Sequence, residues 1–214
     1  MPEELQLPAD PGFRVIETFG WDGARFPRVW PHLERLERTC AGFDIRFDRG
    51  EVLVRLEALS LSGTEPERVR VAVGRLGEVA VSHARLGPSP EVWRVVVAPE
   101  RLRSDDPWLR VKTSERALYD RARALLPDLV QEVIFLNQRG EVAEGAITTV
   151  FFDAGTGLCT PPLDCGVLPG VLRAAMIGQG CREVVLRGED LGRVRLWVGN
   201  SLRGMIPAEW VRGG

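Results

Sequence analysis

Lysine occurs once in this chain, at position 112; the other 27 of its 28 lysine and arginine residues are arginine. The two side chains are not chemical equivalents. A guanidinium stays protonated inside proteins, whereas a desolvated primary amine can lose its proton and attack a carbonyl carbon. Where positive charge alone is needed, this chain uses arginine, so Lys112 marks the one side chain able to capture an aldehyde as a Schiff base. An arginine-biased composition could also leave one lysine by chance, so the surrounding residues must decide.

Pyridoxal phosphate is one such aldehyde. A protein that uses it must supply an amine, an anchor for the phosphate, a carboxylate for the pyridine nitrogen and a group that carries protons. Lys112 can be the amine. The Pro169-Gly170 entry to a helix at Val171 offers unpaired N–H groups and a favourable dipole for an anion, which the hydroxyl of Ser201 and the guanidinium of Arg35 would complete. Glu144, between an apolar strand and Gly145, can face the pyridine nitrogen. Each signal is weak alone, since a glutamate beside glycine is usually a turn residue and Leu-Pro-Gly usually only starts a helix.

The elements that must hold these groups follow from spacing. Residues 1–12 show little pattern. Phe13 to Thr18 reads as a strand, Trp21-Asp22-Gly23 as a turn, and Arg25 to Trp30 as a returning strand. Pro31 opens a helix to about Ala41, ended by Gly42, with Leu33, Leu36 and Cys40 on its inner face. That spacing turns Arg35 away from the core. Glu51 to Ser60 fits a helix with Leu53, Leu56 and Leu59 aligned. Val69 to Val73 and Glu78 to Ala84 form a hairpin around Gly74 and Gly77. The expected organisation is a small N-terminal α/β domain over residues 1–85, a linker over 86–91 and a larger C-terminal domain over 92–214.

The second domain opens with a strand from Val92 to Ala98, then a polar turn from Leu102 to Pro107. Leu109 to Lys112 is expected to be extended, followed by a helix from about Ser114 to Leu126. Thr113 or Ser114 would cap that helix, and Leu118, Ala122 and Leu125 would form its buried stripe. Val133 to Asn137 and Glu141 to Glu144 make a hairpin. Thr148 to Asp153 and Leu158 to Thr160 are strands, Leu168 to Arg173 is a loop entering a helix, and Val184 to Leu186 and Val194 to Val198 are the last strands.

Composition sets bounds on function. The chain has 214 residues, of which 44% are apolar and 27% charged, as in ordinary globular proteins. A net charge of -2 argues against a nucleic-acid surface. No apolar run reaches membrane-spanning length and the start resembles no signal peptide, which points to the cytoplasm. Cys40, Cys159, Cys165 and Cys181 show no Cys-x-x-Cys spacing, so reduced buried thiols are expected and no metal site is read.

In order, several segments resemble the class IV aminotransferase family, the fold-type-IV pyridoxal-phosphate enzymes. They are Ile16-Glu17-Thr18, His32-Leu33-Glu34-Arg35-Leu36, Lys112-Thr113-Ser114-Glu115-Arg116, Asn137 through Glu144-Gly145, Thr160-Pro161-Pro162-Leu163 with Leu168 to Arg173, and Asn200-Ser201-Leu202-Arg203-Gly204. The resemblance covers nearly all of the chain from Phe13. It implies a two-domain mixed α/β (α+β) fold like that of D-amino acid aminotransferase, a small-molecule amino substrate and a homodimer. It implies that Lys112 carries the Schiff base, Glu144 binds the pyridine nitrogen and Arg35 reaches the phosphate from a cleft. Leu168 would pack on the cofactor ring, and the amides of Val171 and Leu172 would hold the phosphate with Ser201.

Within that family, Asn-Ser-Leu-Arg-Gly and Lys-Thr-Ser-x-Arg look most like aminodeoxychorismate lyases. Branched-chain transaminases usually have glycine where this chain has Thr18, and in the lyases a threonine there resembles a proton relay. Arg203 could hold a substrate carboxylate. The implied reaction converts 4-amino-4-deoxychorismate to 4-aminobenzoate and pyruvate. The alternatives are transamination of a D- or branched-chain amino acid, and a vestigial member that binds cofactor without turnover. Three departures bear on substrate. The hairpin that usually precedes the Glu-Thr strand looks shortened, Thr149 replaces an asparagine, and Val171-Leu172 stands where relatives have Ile-Thr.

Overall fold

The computed structural model describes residues 5–59, 61 and 64–212. The chain divides into two compact units, Met1–Pro88 with Val111–Glu115, and Ser89–Arg110 with Arg116–Gly214. The short stretch around Lys112 therefore belongs with the N-terminal unit, although its neighbours on both sides belong to the other.

The first unit holds β1 (Arg14–Trp21), α1 (Val29–Gly42), α2 (Arg49–Glu57), β2 (Glu67–Gly74) and β3 (Val79–Arg85). The strands form an antiparallel sheet in the order β1-β2-β3. Val69, Val71 and Val73 alternate with exposed Arg68 and Arg70, and period-two alternation gives β2 a single apolar face. Leu33, Leu36 and Cys40 of α1 are fully buried, as their spacing requires.

Two expectations for this unit need correction. Arg25 to Trp30 is not a strand. β1 runs on through Trp21, the Asp22 carboxylate accepts the amides of Ala24 and Arg25, and the chain turns through Arg28 at φ 60° into α1. The helix opens at Val29, ahead of Pro31, because a proline in the first turn gives up no intrahelical hydrogen bond. In α2 the buried pair is Val52 and Leu56, not a Leu53-Leu56-Leu59 stripe. Asp48 caps the helix through the amide of Glu51, and that start sets which side turns inward. The expected end of this helix at Ser60 lies outside the described residues.

The second unit contains β4 (Trp93–Leu102), α3 (Ala117–Ala124), β5 (Glu132–Asn137), β6 (Val142–Gly145), β7 (Thr149–Asp153), β8 (Cys159–Thr160), α4 (Val171–Gly178), β9 (Arg182–Glu183), β10 (Arg195–Asn200) and β11 (Gly204–Trp210). Among the described residues its sheet runs β6-β5-β4-β11-β10-β7-β8-β9. The pairs β4–β5, β4–β11 and β8–β9 are parallel, and the others antiparallel. Every residue of β5, β6 and β7 is buried, as expected for strands covered on both faces. Val95, Ile134, Val150, Phe152, Leu196 and Val198 pack together in one cluster. Val133, Phe135 and Ala143 pack in another, against Leu118, Tyr119 and Ala122 of α3.

Here too the structure differs from expectation. Leu109 and Arg110 lie in a 3-10 turn over Pro107–Arg110 and are not extended. Helix α3 is shorter than the pattern suggested and has no side-chain cap. The Thr113 hydroxyl accepts the Glu115 amide and the Ser114 hydroxyl accepts the Arg14 amide, so both oxygens are used elsewhere. Leu125 lies past the end of α3 and is 75% exposed. Val184 to Leu186 is not a strand; the pairing residues are Arg182 and Glu183 just before it. β11, beyond the strand expected to be last, pairs with both β10 and β4. All four cysteines are buried free thiols, and burial pushes that of Cys40 up to about 12.

The β10–β11 turn depends on a missing side chain. A Cβ on Gly199 would lie 2.5 Å from the carbonyl oxygen of Gly204 and 2.9 Å from Cδ2 of Leu172 on α4. Gly199→Ala should therefore destabilise the protein by about 1–3 kcal/mol, the usual cost of overpacking, measured by denaturant unfolding. An unchanged midpoint would show that this contact relaxes freely.

Candidate active site

In the first unit, Lys112 is half-buried and fixed through its backbone. The Ile16 amide donates to the Lys112 carbonyl at 2.9 Å, Ser114 N donates to Arg14 O at 2.8 Å, and Thr113 bridges to Val15. Continued by one residue, that antiparallel register sets Lys112 opposite Ile16. Ile16 and Thr18 share one face of β1, and Glu17 projects from the other. The structure thus brings the lysine segment and the Thr18 strand together.

Glu17, His32 and Arg35 form a buried charged cluster, at 1%, 1% and 5% exposure. Arg35 Nε donates to Glu17 Oε1 at 2.6 Å and its Nη2 to Oε2 at 2.8 Å, a bidentate pair. His32 Nδ1 lies 2.7 Å from Glu17 Oε2. An ionised carboxylate only accepts, so Nδ1 carries the hydrogen. Burial would raise the Glu17 carboxyl, but the charge and hydrogen bonds of Arg35, with those of His32, outweigh it and hold the pKa near about 2. Burial lowers the pKa of His32 against the pull of Glu17, with Arg35 and Lys112 adding to the lowering. Among the described residues, His32 Nε2, also buried, has no hydrogen-bond partner. Helix spacing alone turned Arg35 away from the core; the structure instead buries its guanidinium against Glu17.

In the second unit, Glu144 at the end of β6 is held at both oxygens. Tyr119 donates its hydroxyl to Oε1 at 2.7 Å and the Leu168 amide donates to Oε2 at 2.8 Å. Two residues beyond Leu168, Gly170 is the N-cap of α4 and provides no side-chain cap. Val171 and Leu172 form the first turn of α4. A Cβ on Gly170 would lie 3.1 Å from Oγ1 of Thr149, so the helix entry passes close to β7. Asn200 Oδ1 accepts the amides of Leu202 and Arg203 and closes the turn that carries Ser201, while its Nδ2 donates to Ile147 O at 3.2 Å. Asn137 Oδ1 accepts the Arg139 and Glu141 amides, and its Nδ2 donates to Glu141 and to the Cys165 carbonyl, which anchors the β5–β6 hairpin.

The family model of "Amino-transferase class IV" matches residues 14–210. The chain belongs to the class IV aminotransferase family. An aminodeoxychorismate lyase of Bacillus subtilis is 28% identical over 227 residues, covering 92% of this chain and 76% of that protein. A Mesorhizobium loti structure assigned as an amino-acid aminotransferase has a TM-score of 0.84 and 41% identity, over 93% of this chain and 100% of that one. A hypothetical aminotransferase of Mycobacterium tuberculosis, solved with pyridoxal phosphate bound, has the same fold, with a TM-score of 0.72 and 22% identity over 91% of this chain and 79% of that one.

Class IV aminotransferases are pyridoxal-phosphate enzymes, and the residues of this member suit that group. Within the second unit, a buried carboxylate for a cationic ring nitrogen is joined through Leu168 and Pro169 to a helix start without a side-chain cap, which suits a phosphate. Three residues of the unit interiors were missed as functional candidates. Glu17 and His32 stood in recognised motifs without a role, and a glutamate between Ile16 and Thr18 in an apolar strand was the available signal. Tyr119 was hidden because the helix stripe was drawn through Leu118; its signal was being the chain's one tyrosine.

Glu17→Gln should destabilise the first unit by about 3–5 kcal/mol, because it leaves Arg35 buried without its counter-charge. The acid limb carries a second sign of the same pair. Glu17 is held near about 2 against an ordinary 4.5, so its contribution is complete above pH 4.5 and is lost as pH falls toward 2. That contribution is about 3 kcal/mol, and His32, kept neutral by burial, adds a loss in the same direction once pH drops below 6.5. Unfolding curves across pH 2–7 should be steeper in acid for the wild type than for Glu17→Gln; equal slopes would rule this out.

Proposed function

We propose that the protein is a pyridoxal-phosphate-dependent lyase that converts 4-amino-4-deoxychorismate to 4-aminobenzoate and pyruvate. The observation that carries this is Thr18, a hydroxyl on the strand that holds the lysine segment, where branched-chain transaminases usually have glycine. The likeness to the Bacillus subtilis lyase supports the same choice.

When bound, pyridoxal phosphate supplies an aldehyde for the substrate amine and a ring that takes up the electrons released at the adjoining carbon. With that group bound, Lys112 would hold its aldehyde and, as a free amine, would take the proton from the amine-bearing carbon of the substrate. Glu144 would keep the ring nitrogen protonated. The first-turn amides of Val171 and Leu172, with Ser201 and Arg35, would hold the phosphate, and Leu168 would pack on the ring. Thr18 passes a proton to the departing enolpyruvyl group, which leaves as pyruvate. The carbon–oxygen bond breaks as the six-membered ring becomes aromatic, so the protein's main task is to orient groups and direct protons. Arg203 holds a substrate carboxylate.

The Mesorhizobium loti relative favours a second assignment, amino-group transfer to a keto acid. The two are separated by giving the cofactor-loaded protein aminodeoxychorismate alone. Repeated release of 4-aminobenzoate without a keto acid is the expected result. Release that halts after one equivalent until a keto acid is added would mean transfer, and cofactor binding without turnover of either substrate class would mean a binding protein. Thr18→Val should lower lyase turnover by about 10–100-fold, within the usual range for a proton-transfer group, while cofactor affinity stays within about twofold. Borohydride reduction followed by digestion should leave the cofactor on the peptide that contains Lys112; label on any other peptide would end the assignment.

A further inference from the structure

Tyr119 is the chain's single tyrosine, and nothing in the proposed reaction uses it. Its placement is nevertheless specific. The ring stands edge-on to Phe135, with centroids 5.1 Å apart at 72°. The Arg116 guanidinium lies 5.5 Å from the ring centroid, and Arg116 is itself fixed by Asp120 Oδ1 and the Ala146 carbonyl, both at 3.0 Å. Ala146 lies two residues past Glu144, so the group that steadies the tyrosine also ties down the backbone beyond the carboxylate.

We propose that Tyr119 is a positioning residue that aims Glu144: its hydroxyl fixes one carboxylate oxygen while the Leu168 amide fixes the other. The inference rests on the assignment of Glu144 to the pyridine nitrogen, and not on whether the reaction is elimination or transfer. A terminal carboxylate torsion is soft and roughly two-fold, so one donor would leave the group free to swing about its bonded oxygen. Two donors from separate segments hold the plane of the carboxylate. Burial, and after it the charge of Glu144, push the phenol pKa upward, so the hydroxyl remains a donor throughout the working range. A phenylalanine would fill the same space against Phe135 and Arg116 and would lack only the donor.

The test measures pyridoxal phosphate affinity by equilibrium dialysis of the cofactor-free protein, in a cycle of Tyr119→Phe, Glu144→Gln and the double variant. Loss of a hydrogen bond to a charged group predicts that Tyr119→Phe weakens binding by about tenfold. In the Glu144→Gln background the same change should cost less than about twofold, because the tyrosine then has no carboxylate to aim. An equal cost in both backgrounds would show a merely structural tyrosine, and no cost in either would remove the role entirely. Should Glu144→Gln alone leave affinity unchanged, the pyridine assignment fails, and this inference with it.

A second measurement keeps the hydroxyl and needs no substitution. Because the tyrosine is single, 3-fluorotyrosine places one fluorine nucleus in the protein, at position 119. Its resonance should shift when pyridoxal phosphate is added, and that shift should be largely abolished in Glu144→Gln. A resonance that ignores the cofactor in the wild type would overturn the proposal even if Tyr119→Phe does not fold.

Discussion

A carboxylate that is 8% exposed must be met by donors, and Glu144 accepts from the Tyr119 hydroxyl and the Leu168 amide. Hydrogen bonds to a charged acceptor are about twice as strong as neutral ones, and here they also transmit position. The Leu168 amide is a backbone group, so binding it fixes the path of the chain as well as the carboxylate. From Leu168 the chain reaches the N-cap of α4 in two residues, and proline at 169 stiffens the step. The carboxylate and the N-terminal end of α4 are thereby set at a constant offset by one hydrogen bond. The hairpin of β5 and β6 presents the carboxylate, and Asn137 braces that hairpin against the Cys165 carbonyl at the start of the same loop.

The first unit solves a similar problem with charge in place of neutral donors. Glu17 stands between Val15 and Phe19 on the inward face of β1, where an apolar residue would cost nothing. Its burial is tolerable only because a bidentate guanidinium and an imidazole N–H satisfy both oxygens. Apolar residues in place of buried ion pairs are often at least as stable. The gain is a fixed direction for Arg35: two of its five N–H groups are committed to Glu17, which sets the plane of the guanidinium on α1. In both units a carboxylate held at two oxygens fixes the position of its partners.

The candidate residues of this site could be named from the sequence because they depend on residue type. One lysine among arginines, a Glu-Gly pair after an apolar strand, and Leu-Pro-Gly before a helix are each statements about chemistry at a position. The helix stripe of Leu33, Leu36 and Cys40 and the β2–β3 hairpin were legible because burial imposes a period. What was not legible was set by partners distant in sequence. Its own helix spacing turned Arg35 away from the core, and Glu17, 18 residues earlier, helps to draw it inward. Thr113 and Ser114 looked like helix caps because capping is the local use of a hydroxyl, while Ser114 is taken by Arg14, 100 residues away. β11 was not named as a strand; it contains a proline and a glutamate, and pairing with β4 and β10 makes it one.

The two single residues of this chain, Lys112 and Tyr119, show how composition can carry functional information. Phenylalanine provides the ring packing of both interiors, with Phe13, Phe19, Phe135 and Phe151 all fully buried. Arginine provides cations for ion pairs in both units. Tyr119 packs against Phe135 as another phenylalanine would, so its ring does not explain its type; the hydroxyl at 2.7 Å from Glu144 does. Lys112 is set on β1 by backbone bonds that any residue could make, so the backbone does not explain its type either. What lysine adds over arginine is an amine that can give up its proton, and what tyrosine adds over phenylalanine is one donor. Both additions concern groups assigned here to the cofactor, the amine to its aldehyde and the donor to the carboxylate at its ring nitrogen. A role in packing alone would have been open to the more common residue at either position.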